Sequence, residues 1–109
     1  MKVTAIPEIL EYIENLVQIL YEKGYFSYRE DARKYVDDLY TSIETTLPAH
    51  LHKPAPRYYD KYGKYMYYAV FKKNKRTSWY VFFSKYTVSG ETVYLIRYIG
   101  NNHTEAQHL

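Results

Sequence analysis

Cysteine is absent from all 109 residues, which removes disulfides, thiolate metal sites and cysteine nucleophiles together. The chain also lacks a glycine-rich phosphate loop, a serine elbow and a dinucleotide fingerprint, so nucleotide hydrolysis, acyl transfer and hydride transfer lose their usual supports. No apolar run approaches the ~20 residues of a bilayer crossing, and the first residues do not follow the basic-then-apolar plan of a secretory signal. A cytoplasmic protein is expected. The last scarcity is local: residues 53–109 hold 10 Lys and Arg but only 3 Asp and Glu, net +7, whereas residues 1–52 hold 5 and 9, net −4. The formal charge of +3 therefore conceals a dipolar molecule. Ten of the 16 tyrosines share the basic half. Cations interleaved with aromatic rings attract phosphates and can stack bases; the same composition also describes a half-buried sheet edged by solvated lysines.

The length fits one domain, residues 1–109, with a core made of one sheet and one helical layer. Lys2–Ile6 reads as a short strand, and Pro7 occupies a first helical position that tolerates a missing N–H. Ile9, Leu10, Ile13, Leu16, Val17 and Leu20 then recur at helical spacing until Gly24. Ser27 and Glu30 have the spacing of a capping box, after which Ala32, Tyr35, Val36, Leu39, Tyr40, Ile43 and Leu47 form a second apolar stripe that stops at Pro48. The short link Gly24–Ser27 requires the two helices to run antiparallel. Residues 49–56, with Pro54 and Pro56, read as a connector. Three aromatic and β-branched runs follow, Lys64–Lys72, Thr77–Thr87 and Glu91–Ile99, joined by Lys73–Arg76 and by Val88-Ser89-Gly90. The expected architecture is α+β: an N-terminal strand, a helical hairpin and a three-stranded antiparallel meander, with both helices on one face of the sheet and the other face free.

Metal-independent RNA cleavage requires a base for the 2′-OH, a cation for the phosphate and an acid for the leaving oxygen, roles that His, Arg, Lys and Tyr can fill. His103 is the leading acid–base candidate, because Gly100 is placed to turn the chain off the last strand and free the residues after it; alternatively it belongs to a surface tail. Arg97 shares a strand face with Val93, Leu95 and Ile99, and there it either pairs with a carboxylate or receives an anion. Lys85 ends an apolar face of Trp79, Val81 and Phe83 and has a smaller part in stabilising phosphate charge. Arg57, Lys64 and Arg76 are candidate phosphate contacts, although Arg76 and its lysine neighbours equally suit a solvated turn. Tyr86, Tyr98 and Asn102 are candidates for positioning or stacking RNA. His50 and His52 lack a third ligand at suitable spacing, so neither a metal nor a cofactor is expected.

Arg57-Tyr58-Tyr59, then Gly63-Lys64-Tyr65-Met66-Tyr67-Tyr68-Ala69-Val70, and finally Leu95-Ile96-Arg97-Tyr98-Ile99-Gly100-Asn101-Asn102-His103, resemble in order and spacing the motifs of the RelE/ParE superfamily of bacterial toxins. The resemblance spans nearly the whole chain. It implies a toxin of a type II toxin–antitoxin module, held by a cognate antitoxin, that either cuts messenger RNA in the ribosomal A site as RelE, HigB and YafQ relatives do or inhibits DNA gyrase without catalysis as ParE relatives do. A third possibility within the same fold is a binding protein that has lost the poisoning activity. In the YafQ-like branch a histidine after the glycine turn assists cleavage, the position held here by His103. Met66 departs from the pattern, since the family commonly has a phosphate-binding arginine there; Arg57, Arg97 or Lys85 then has to supply that charge.

Overall fold

A computed structural model of the chain describes residues 1–109. Strand β1 (Lys2–Ala5) leads into α1 (Pro7–Glu22) and α2 (Arg29–Thr46), followed by β2 (His52–Pro54), β3 (Tyr67–Lys72), β4 (Ser78–Val88), β5 (Glu91–Asn101) and a short α3 (Asn102–Glu105). The class is α+β, as expected. The five strands form one mixed sheet in the order β1-β5-β4-β3-β2, with β1 parallel to β5 and every other pair antiparallel. No helix is long and apolar enough to cross a membrane.

The connector conceals a strand. His52, Lys53 and Pro54 pair with Ala69, Tyr68 and Tyr67, and an outermost strand can accept a proline because its outer N–H has no ladder partner to lose. β3 begins at Tyr67 rather than Lys64, because Tyr65 has a left-handed backbone (φ +59°) that no strand residue adopts. β4 extends to Val88, and the turn to β5 is only Ser89-Gly90, both at positive φ (51° and 79°), the conformation that matches strand twist in a two-residue hairpin. The Ser27–Glu30 capping box does not form: α2 starts at Arg29 after Tyr28, without a side-chain cap. Gly24 does stop α1, at φ +79°.

The helical stripes pack where their periodicity directs them. Ile9, Ile13, Leu16 and Val17 of α1 and Ala32, Val36, Leu39 and Ile43 of α2 are buried with Leu47 against Ala69, Phe71, Trp79, Val81, Phe83, Tyr94, Ile96 and Ile99. Burying each large apolar side chain contributes roughly 1.5–3 kcal/mol. An irregularity of register then divides β5. Phe82 pairs with Tyr98 while Phe83 pairs with Ile96, leaving Arg97 as an extra residue. Such a bulge resets the alternation: Tyr94, Ile96 and Ile99 enter the helical core, whereas Arg97 and Tyr98 both lie on the opposite side. The expected partnership of Arg97 with Ile99 on one face fails for this reason.

The opposite face is only partly free. A second small core of Tyr59, Met66 and Phe82, flanked by Ala55, Tyr62, Tyr68, Tyr80 and Tyr98, lies there under a 3-10 turn spanning Arg57–Lys61. Tyr59 stacks on Phe82 at 4.1 Å and Tyr62 on Tyr98 at 4.1 Å between centroids. Many tyrosines of the basic half therefore serve a second layer of packing.

Candidate nucleic-acid interface

The three ion pairs of the protein, Arg33 with Glu14 and with Asp37 and Lys34 with Asp38, all lie in the helical hairpin. None of the 10 Lys and Arg beyond residue 52 has a carboxylate within 4.0 Å. Cations without internal partners attract external anions, and the low charge density of carboxylates nearby leaves that attraction uncancelled.

Arg97 is the most constrained of these cations. Its Nε donates to the Ser84 hydroxyl at 2.9 Å and one terminal nitrogen approaches the Tyr86 hydroxyl at 3.5 Å. On its other side lies Gly63, where an added Cβ would stand 2.8 Å from Arg97 Cδ and 3.3 Å from Met66 Sδ. Glycine thus makes room for the arginine stem. The guanidinium makes no other hydrogen bond within the protein, and Tyr86 is half-exposed beside it. A fixed guanidinium next to a phenol can neutralise a phosphate and present one hydroxyl proton to it. Met66 is 2% exposed inside the second core, so its position is one of packing rather than an open anion contact.

The other candidates are not gathered at Arg97. Lys85 is on the helical face: its ammonium lies 5.4 Å and 5.5 Å from the Tyr67 and Tyr94 ring centroids and 3.5 Å from His52 Nε2. The alternation in β4 is unbroken, so Ser84 and Lys85 necessarily point to opposite sides of the sheet. His103 is in α3, with its backbone N–H bonded to the Asn101 side chain at 2.9 Å, and it lines a recess of about 410 Å³ with Leu16, Tyr25, Phe26, Tyr35 and Trp79. Gly100 does not turn the chain off the sheet; it remains in β5, and the strand runs on to Asn101. His103 is therefore displaced toward the helical hairpin, away from Arg97.

Asn102 and Tyr98 are structural in this arrangement. The Asn102 amide donates to the Arg76 carbonyl and accepts from the Ser78 N–H, both at 3.0 Å, tying α3 to the β3–β4 turn in which Arg76 resides. Tyr98 donates to Glu105 at 2.9 Å. Arg57 and Lys64 line a separate recess with Asp60 and Tyr65. His50 stacks on Phe71 at 3.9 Å and His52 packs edge-on to Tyr67 and Phe83, and no three His, Asp or Glu side chains converge as a metal cluster.

The least foreseeable feature is Glu105, 5% exposed and held without a cation. Its carboxylate accepts from Tyr59 at 2.9 Å, Tyr98 at 2.9 Å and Thr104 at 2.8 Å, and it fits only because Gly100 has no Cβ: one would stand 2.6 Å from Glu105 Cγ. In sequence it is merely the last carboxylate of a polar tail. Burial, and then the bond and charge of Glu105, push the phenols of Tyr59 and Tyr98 well above their usual range. Burial followed by the Glu105 charge takes Tyr12 up to about 12. An acid whose folded pKa exceeds its unfolded value supports the fold fully below the unfolded value and ceases to do so as pH rises through the folded one. The unfolded phenols ionise near 10, so the melting temperature is expected to decline from about pH 10 upward, with tyrosinate absorbance appearing together with unfolding. A melting temperature that stayed level to about pH 11 would contradict this account.

Comparison with protein-family models, with curated proteins and with solved structures finds no match for this chain.

Proposed function

We propose that this chain is the toxin of a type II toxin–antitoxin module with a RelE/ParE-like fold, and that it inhibits translation by cutting ribosome-bound messenger RNA without a metal. The observation that carries the reading is the position of Arg97: an unpaired guanidinium, held by Ser84 beside Tyr86, on the sheet face opposite the helices. The fold part of the reading draws only on the α+β class and on the helical hairpin that precedes β3, β4 and β5; the order departs from the expected one, with β2 paired to β3 ahead of those strands and α3 after them. In this reading Arg97 supplies the charge that Met66 cannot, the Tyr86 phenol beside it carries a proton within reach of the same phosphate, and Arg57 and Lys64 grip the flanking backbone. The cognate antitoxin then silences the protein by covering the cationic face.

A second reading, gyrase inhibition of the ParE type, draws on one specific observation. His103, Arg97 and Lys85 occupy three separate places, so the proposed acid–base group does not assemble. One experiment separates the two. The purified protein is added to a cell-free translation reaction and, in parallel, to a gyrase supercoiling assay. Message cut within the reading frame, with supercoiling unaffected, is the expected result; intact message at inhibitory doses, or blocked supercoiling, transfers the assignment to the second reading.

A further inference from the structure

Beside the second core, Ala55, Arg57, Asp60, Lys64, Tyr65 and Met66 surround a recess of about 370 Å³. Its rim is unusual in three respects. Tyr65 is 93% exposed and holds φ +59°, a backbone region that bulky side chains rarely enter. It stacks on no other ring, and no hydrogen bond to its hydroxyl repays the strain. Asp60 is one of just 3 carboxylates beyond residue 52; Glu91 closes a turn and Glu105 is buried, so Asp60 is the exposed carboxylate that faces this recess. Although Arg57 and Lys64 line the same recess, neither comes within 4.0 Å of it. Strain concentrated at an exposed aromatic is a mark of ligand contact rather than of packing.

The chemistry of these groups is selective. A free carboxylate is an acceptor only, and among the four RNA bases guanine alone presents two adjacent donors, N1–H and the N2 amino group, on its Watson–Crick edge. Adenine and cytosine offer one amino group beside an acceptor, and uracil offers a single N–H between two carbonyls. An unstacked base lying on the Tyr65 ring would direct that edge inward, while Arg57 and Lys64 receive the phosphates on either side. We infer that this recess is a nucleobase subsite that selects guanine in single-stranded RNA. The inference rests on the reading of the protein as RNA-directed and specifies which nucleotide it prefers.

The test uses the purified full chain and four short oligouridine RNAs that differ only in one central base, G, A, C or U, with binding followed by fluorescence anisotropy at fixed salt. The wild type is expected to bind the G-containing RNA roughly tenfold more tightly than the other three, as a well-formed bidentate pair allows. Asp60→Asn should remove that preference while leaving the weaker affinities in place. Tyr65→Ala should weaken all four by roughly tenfold, the usual worth of one stacked base. Tyr65→Gly should do the same without lowering the melting temperature, since glycine accepts the left-handed backbone; a large drop in melting temperature would assign Tyr65 a structural role and overturn the inference. Equal binding of all four RNAs by the wild type, or a guanine preference that survives Asp60→Asn, overturns it while leaving the RNA-directed reading intact. Failure to bind any of the four, combined with intact message in the translation reaction, overturns both.

Discussion

Under the proposed ribonuclease reading, Arg97→Ala is expected to slow cleavage of the message by about 10²–10³-fold, the usual consequence of removing one group that stabilises charge in a transition state. The effect should be nearly all chemical. Arg97 is part-buried and its one short side-chain bond is to Ser84, so its loss costs about 1 kcal/mol of stability, and a thermal melt should shift only slightly. Arg97→Lys keeps the charge but not the forked donor plane, and partial recovery is expected. Gly63→Ala touches the same site from its other side: a methyl group would stand 2.8 Å from Arg97 Cδ and 3.3 Å from the buried Met66 sulfur, on a backbone at φ +159° that alanine rarely adopts. Activity and melting temperature should therefore both fall. Full cleavage by Arg97→Ala, in a variant whose thermal melt shows it folded, would remove the centre of the proposed site.

Glu105→Ala should be strongly destabilising. The Tyr59 and Tyr98 hydroxyls donate to this carboxylate, and hydrogen bonds to a charged group are worth about 1.5–3 kcal/mol each. Removing the acceptor strands the buried Tyr59 hydroxyl and unpins α3, so a loss of about 3–5 kcal/mol is expected. For a domain of this size that corresponds to a fall in melting temperature of roughly 15–25 °C. Glu105→Gln retains an acceptor and should lose much less. Gly100→Ala approaches the same defect from the backbone side, because its Cβ would overlap Glu105. A thermal melt of Glu105→Ala within about 3 °C of wild type would mean that the hydroxyls find water instead.

Both predictions concern residues whose significance the sequence exposes unequally. Arg97 stands out in sequence because it is a cation inside a strand of Val93, Leu95 and Ile99, and alternation alone asks what it meets. Its true neighbours do not follow from alternation, because the bulge at Arg97 breaks the period and only pairing with β4 reveals it. Asp60 had a legible signal too, as a rare carboxylate in a basic half. Glu105 had none: its burial depends on Gly100, Tyr59 and Tyr98, residues 5, 46 and 7 positions away.

The chain by itself determined the α+β class, the two amphipathic helices and the antiparallel strands after them, because each follows from a local period of apolar residues and from nearby prolines and glycines. It also determined the separation of charge at residue 53. Tertiary structure decided which cations share a surface. Lys85 and Arg97 are opposed across the sheet, His103 is carried toward the helices, and the strand hidden at His52–Pro54 forms only because β3 offers it an edge. Those outcomes depend on strand register and on contacts between residues far apart in the chain, and neither leaves a periodic mark in the residues themselves.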